Sequence, residues 1–419
     1  PITRSFLRSL SPLTYLSPRQ QLGSDDANAP PRALRLTQPL WIDRPDELAA
    51  GIERWRASGL GRSRAGGAAG DIALDTEFVF ERTFRPRLGL IQIAAGGEIA
   101  LVDAVRIADL TPLAALLQAS GGRKILHSGS GDVPILRRAT GMSPRPLFDT
   151  QIAAAFAGLG PSLSYAALIR ELFAVELPKH ETRTDWLRRP LSPAQLRYAA
   201  EDVAQLGAAA AELERRLRDL GRLEWALEDS AGLADLEADS ALPDEAWRRV
   251  KLLERLPPRG RAVARALAAW RDREADRLDL ARSFLMRDET LLALSRADGS
   301  GGNGGPPELT PQVIAKLPGY EPRRHAQHGA RWVEALAEAR AAADAGTAPA
   351  EPARESAEAR DRRRALEESI SELVARRAGE IGMPPELLLS RRQRDRALSA
   401  WGGRGSLAES LGGFRGRLL

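Results

Sequence analysis

At 419 residues the chain is too long for one compact core, so two or three domains are expected. Hydrophobic residues make up 43% and charged residues 28%, an ordinary globular balance, and a formal net charge of +5 permits a polyanionic partner without demanding one. There is no cysteine, which excludes disulfides, zinc–thiolate centres and thiol nucleophiles and is compatible with a reducing cytoplasm; no apolar run approaches the length of a membrane span.

Residues 1–33 carry scattered Arg, Leu and Ser with few acids and no uninterrupted secretory core, and are set aside as a disordered extension. Residues 40–42 read as a short strand, and Asp46 is expected to cap a helix through about Ala57. After a Gly/Ala/Ser/Arg loop come strand signals at 72–78, 88–94 and 99–102, with Gly96-Gly97 placed for a hairpin turn between the last two. Residues 110–117 read as helix, 124–127 as a strand end, 132–139 as helix and 150–220 as several amphipathic helices. Strands followed by alternating helices and strands indicate an α/β layered domain. Beyond Leu220 strand signals vanish. Val263, Leu267, Trp270 and Leu278 keep helical spacing, 298–307 is a Gly-rich loop, 342–357 a linker, and 363–419 a second helical block. The α/β domain is expected to fold without anything after about Leu242.

Asp75 and Glu77 lie two apart at the end of a strand and so face one side of it. Asp132 follows the small-residue turn His127-Ser-Gly-Ser-Gly131, and Tyr198 and Asp202 lie four apart on a helix. Each feature alone has an ordinary explanation: a solvated strand end, a helix cap, a helix surface. Four carboxylates in one pocket would repel one another unless cations neutralised them. Hard oxygen ligands favour Mg²⁺ or Mn²⁺ over zinc, and two such ions about 3.5–4 Å apart form a standard clamp for phosphodiester hydrolysis.

The segments LDTEF (74–78), RLGLIQIA (87–94), HSGSGDVPIL (127–136), LFDTQIAAAF (147–156), TRTDWLRRPLS (182–192) and YAAEDVAQL (198–206) together resemble the ribonuclease D family of the DEDD exonuclease superfamily. The resemblance implies an α/β ribonuclease H-like exonuclease domain followed by all-α HRDC-type helical domains. It implies Asp75, Glu77, Asp132 and Asp202 as ligands of two divalent ions and Tyr198 as the tyrosine of the DEDDy branch. The histidine branch would use position 197, which is Arg197 here. Phe78 is expected to pack on a terminal base. Lys179, Arg183 and Arg188 are expected to hold phosphates or to form a solvated basic loop. Trp186 reads as a packing anchor and His127 as structural. The family often has an acid before the second-motif aspartate, where this chain has Gly131.

Residues 261–295 resemble an HRDC domain, and 381–392 with 412–417 resemble the second such module of the family. The implied layout is an exonuclease domain over 34–230, HRDC domain 1 over 243–330, a linker over 342–357 and an HRDC-like domain 2 over 360–419. The expected activity is 3′→5′ hydrolysis of RNA 3′ ends, such as those of tRNA precursors, in the cytoplasm, with single-stranded DNA as a further partner and no membrane or obligate protein partner. A DNA exonuclease and a catalytically silent RNA-binding protein remain the alternatives. Release of mononucleotides, with and without metal, separates them.

Overall fold

The computed structural model describes residues 14–15, 34–35, 38–57, 70–177, 184–235, 242–297, 310–350, 356–401 and 407–419. Lys179 and Arg183 lie outside the described residues. The chain forms two compact units: residues 1–78, 88–238 and 356–419 make the first, and 79–87 with 239–355 the second. Thr14–Tyr15, inside the segment set aside from the fold, pairs antiparallel with Leu34–Arg35 just beyond it.

The first unit is built on a six-stranded sheet. In chain order its elements are β1 (Leu40–Ile42), α1 (Pro45–Ala57), β2 (Ile72–Val79), β3 (Arg87–Ala95), β4 (Glu98–Asp103), β5 (Lys124–Leu126), α2 (Asp132–Thr140) and β6 (Leu147–Asp149). Helices α3 (Thr150–Phe156), α4 (Tyr165–Phe173), α5 (Pro193–Ala204), α6 (Leu206–Asp219) and α7 (Leu223–Leu233) follow. The strand order is β1-β4-β3-β2-β5-β6. β3 and β4 are antiparallel, with Ala95 opposite Glu98; β1–β4, β2–β5 and β5–β6 are parallel. Gly96 and Gly97 both have positive φ, 61° and 87°, as a two-residue hairpin turn of the favoured hand requires.

Two differences from the sequence reading have simple causes. Asp46 sits in the first turn of α1 behind Pro45 and does not precede the helix as its cap. β6 gives no strand signal in the sequence because it is three residues long and buried throughout, so it shows no alternation. It runs straight into α3, which Asp149 caps by accepting from the amides of Gln151 and Ile152.

The sheet is apolar on both faces. Ile72, Leu74, Ile91, Ile93 and Val102 belong to one core cluster, with Leu48 and Trp55 of α1 and Val133 and Leu136 of α2. Ala73, Ile125 and Phe148 belong to the other, with residues of α3 to α6. β2 therefore sends alternate side chains to opposite faces, and Asp75 and Glu77 continue the series of Ala73 on the face that α5 covers. The start of α5 is set by Pro193 and a reciprocal capping box between Ser192 and Gln195.

Residues 360–419, read from sequence as a module of their own, lie within a segment, 356–419, that is part of the first unit. Ile370, Val374 and Ala378 of the helix Ala357–Glu380 and Phe414 of the helix Gly413–Leu418 join the same core cluster as α3 to α6. The second unit is helical. Val263 and Leu267 on α8 (Pro258–Leu278), Leu291 and Leu294 on α9 (Asp288–Ala297) and Trp332 on α10 (Gly329–Asp344) share its core. The Trp332 indole donates to the Leu285 carbonyl at 3.1 Å. Among the described residues no helix is long and apolar enough to cross a membrane.

Candidate active site

Carboxylate oxygens of Asp75, Glu77 and Asp202 lie within 4.8 Å of one another. Strand alternation delivers the first two, and α5 delivers the third from above the same face. Asp132, the first residue of α2, is not part of that close trio but adjoins it, and its charge pushes up the pKa values of Asp75, Glu77 and Asp202. It does not cap its own helix; it accepts a hydrogen bond from the Thr76 hydroxyl, which projects from β2 between the two acidic positions.

Burial is the main cause of the electrostatic strain, and mutual repulsion adds to it. Asp75 is held well above the usual carboxylate range by burial, then by Asp132, Asp202 and Glu77. Burial and the charges of Asp202 and Asp132 push Glu77 to about 9. Burial raises Asp202 to about 7 and Asp132 to about 6, against hydrogen bonds from Tyr198 and Thr76 respectively that favour the charged forms. Oδ2 of Asp202 is buried without a hydrogen-bond partner. A half-buried, all-oxygen cluster of mutually repelling acids with an unmatched acceptor fits a hard divalent cation, and the spacing of the trio suits a metal-binding site.

This geometry sets a pH-dependent stability. Glu77, Asp202 and Asp132 hold protons more tightly folded than at ordinary carboxylate values of about 4. Their contribution is intact below about pH 4 and is lost as pH rises through the folded values toward about 9. A cation that binds only the folded form adds about 2.7 kcal/mol at 100 times its Kd. The Tm of EDTA-treated protein is expected to fall between pH 6 and pH 9, and the Tm gain on adding Mg²⁺ to grow over the same range. A gain independent of pH would show that the ion does not meet these carboxylates.

Tyr198 faces Asp202 one helical turn away and hydrogen-bonds to it; burial first, then the charges of Asp202, Glu77 and Asp75, drives its pKa further up. Its ring centroid stands 6.0 Å from that of Trp186, which is buried. Phe78 is half-buried, and a side chain at Gly131 would begin 3.8 Å from its Cζ, so the glycine leaves room beside the ring. Arg188 is exposed on the 184–190 segment. His127 is tied at both ring nitrogens, to the Thr150 hydroxyl at 2.9 Å and the Leu163 carbonyl at 3.0 Å, a structural placement.

Two supporting residues lie outside the motif residues that the sequence marks. Asp149 is buried and accepts from the amides of Gly129 at 2.7 Å and Ser128 at 3.3 Å while capping α3, so one carboxylate fixes the turn that delivers Asp132. Its signal was present: an aspartate directly before a helix, inside a matched segment. Arg189 grips the fully buried Asp103 with both arms, at 2.6 and 2.8 Å, and donates to the carbonyls of Gly89 and Trp186. It pins the segment carrying Trp186 to the sheet. No sequence signal distinguishes this arginine from Arg188 beside it.

The α/β fold and the carboxylate cluster fit a metal-dependent nuclease. A family model described as 3′-5′ exonuclease matches residues 39–218, and one described as HRDC domain matches 260–298. Ribonuclease D of Pseudomonas paraeruginosa is 36% identical over 380 residues, covering 90% of this chain and 94% of that protein. Ribonuclease D of Xanthomonas oryzae pv. oryzae is also 36% identical, covering 84% and 90%. The crystal structure of Escherichia coli RNase D, described as an exoribonuclease involved in structured RNA processing, matches with a TM-score of 0.75 at 32% identity, covering 91% of this chain and 96% of that one. The chain belongs to the ribonuclease D family of 3′→5′ exoribonucleases.

Proposed function

We propose that the chain trims the 3′ ends of structured RNA such as tRNA precursors, releasing nucleoside 5′-monophosphates, with Asp75, Glu77, Asp132 and Asp202 holding two divalent ions, Mg²⁺ or Mn²⁺. The observation that carries this reading is the convergence of Asp75, Glu77 and Asp202 on one sheet face. When bound there, divalent ions supply charge neutralisation at the scissile phosphate and lower the pKa of attacking water. Asp132 and Asp202 then remain ionised as acceptors, since an opposing positive charge reverses the repulsion that raises them. Phe78, on the strand that bears Glu77, stacks the terminal base, and Arg188, with Lys179 and Arg183, holds phosphates of the chain behind it. The test is degradation of matched RNA and DNA oligomers with and without Mg²⁺ or Mn²⁺, followed as mononucleotide release. Stepwise, metal-dependent release from RNA is expected; endonucleolytic fragments or no release would overturn the reading.

Tyr198 orients the attacking water and is not its base. Its hydroxyl is raised above an already high ordinary pKa, so it stays protonated near neutral pH and acts as a donor. Tyr198→Phe keeps the ring beside Trp186 and removes only the hydroxyl. A kcat loss on the order of 10²-fold is expected, the range of one positioned proton-handling group, with RNA affinity nearly unchanged. Full turnover by Tyr198→Phe on single-stranded RNA would remove the tyrosine from the mechanism.

A further inference from the structure

The second unit contains a cavity of about 490 Å³ with four arginines on its wall: Arg249, Arg271, Arg282 and Arg287. Carboxylates answer part of this charge. Arg249 and Arg282 share the buried Asp272, at 3.2 and 2.5 Å. Arg271 reaches Asp288 at 2.7 Å and donates to the Met286 carbonyl at 3.0 Å. Arg287 pairs with Glu321, which also takes Arg324 at 3.2 Å, and Glu289 adds a further carboxylate at the wall. Five guanidinium groups thus stand against the carboxylates of Asp272, Asp288, Glu289 and Glu321.

Arg271 is the telling member. It is 3% exposed, it lines the cavity, and its Nε is buried with no hydrogen-bond partner. A charged donor kept from water and left unmatched is costly, and an anion in the cavity adds a counter-charge beside the guanidinium that carries it. The cavity also borders the first turn of α9, a ten-residue helix whose N-terminal amides carry partial positive charge. Arg282 is held in place by the Phe84 ring, 4.4 Å from its guanidinium carbon, as well as by Asp272. Graded exposure gives access: the side chains of Arg249, Arg282 and Arg287 are about one-third exposed, whereas that of Arg271 is 4% exposed. Planar, forked donors converging on one volume match the oxygens of a phosphate group as they match a carboxylate.

We propose that this cavity is a phosphate-group site of the helical unit, occupied by the backbone of the RNA substrate. The inference rests on RNA as the substrate class. A free mononucleotide carries the same chemistry, and the experiment separates the two sources. Binding of a single-stranded RNA oligomer is measured in EDTA across a salt series, for the full chain and for Arg287→Ala and Arg271→Lys, each checked for folding by thermal melting. Binding of adenosine 5′-monophosphate is measured beside it by calorimetry. Arg287→Ala should weaken RNA binding about 5- to 10-fold and lower the salt slope by about one. Arg271→Lys, which keeps the charge and loses the fork, should weaken binding with little change of slope. Loss of affinity for RNA without mononucleotide binding supports the backbone as the source. Mononucleotide binding that Arg287→Ala abolishes supports the phosphate site with a free nucleotide in it. Unchanged RNA affinity and slope in Arg287→Ala, with no mononucleotide binding by any form, overturns the site. RNA degradation by the wild-type chain with Mg²⁺, run in parallel, tells failure of this site from failure of the exoribonuclease reading.

Discussion

Asp202→Asn is expected to abolish nearly all turnover while making the metal-free protein more stable at pH 8. An amide keeps the size of the side chain and its bond with Tyr198 but is a poor ligand for a hard cation. Losing several kcal/mol of charge stabilisation at the phosphate corresponds to a kcat loss of roughly 10³-fold. The stability change runs the other way. The Asp202 pKa of about 7 lies above its unfolded value, so above pH 7 the native state carries a buried charge that burial, Glu201 and Asp132 all disfavour. Removing that charge relieves Asp75 and Glu77 as well, both of which Asp202 pushes up. Single-turnover kinetics and thermal melts in EDTA at pH 6 and pH 8 measure both arms. A variant that is inactive and also less stable at pH 8 would mean that Asp202 is a structural residue and not part of a strained acidic cluster.

The same opposition explains why the site was legible in the sequence while much of its support was not. Acids at i and i+2 of a strand, or an acid one helical turn from a tyrosine, encode their own facing through local periodicity. The hairpin at Gly96-Gly97 and the helical spacing of Val263 and Leu267 are local in the same sense, and all were read correctly in type. Asp103 with Arg189 and Asp149 with the 128–129 amides join positions 86 and about 20 residues apart, and the residue types alone do not announce such pairings. β6 was hidden by its shortness. The return of residues 356–419 to the first unit was hidden for a further reason: an apolar helix face shows that something covers it, not which domain does.

That return makes Phe414→Ala the most damaging substitution expected outside the acidic cluster. Phe414 is 1% exposed, stacks on Trp225 with ring centroids 5.3 Å apart at 15°, and meets Phe156 of α3 edge-on at 5.8 Å. Arg415, next along, is 5% exposed, pairs with Asp229 of α7 through both arms and donates to the carbonyls of Leu387 and Leu388. The Gly-Gly pair before Phe414 permits this approach. Gly413 has φ 49°, and a Cβ there would fall on the Glu228 carboxylate, which accepts from the Phe414 amide at 2.9 Å. Truncating a buried phenylalanine costs about 3–5 kcal/mol, or roughly 10 °C in Tm for a unit of this size. Deleting residues 413–419 should cost at least as much, because it also strips Asp229 of its buried partner. Thermal melts of the full chain, Phe414→Ala and the 413–419 deletion measure this, with exonuclease activity followed against temperature. The catalytic rate at low temperature should stay near wild type in Phe414→Ala, since the ring contacts α3 and α7 and none of Asp75, Glu77, Asp132 or Asp202, whereas heat inactivation should come earlier by the same interval. A 413–419 deletion that melts like the full chain would return the C-terminal block to the status of an independent module and restore the expectation that the α/β unit folds without it.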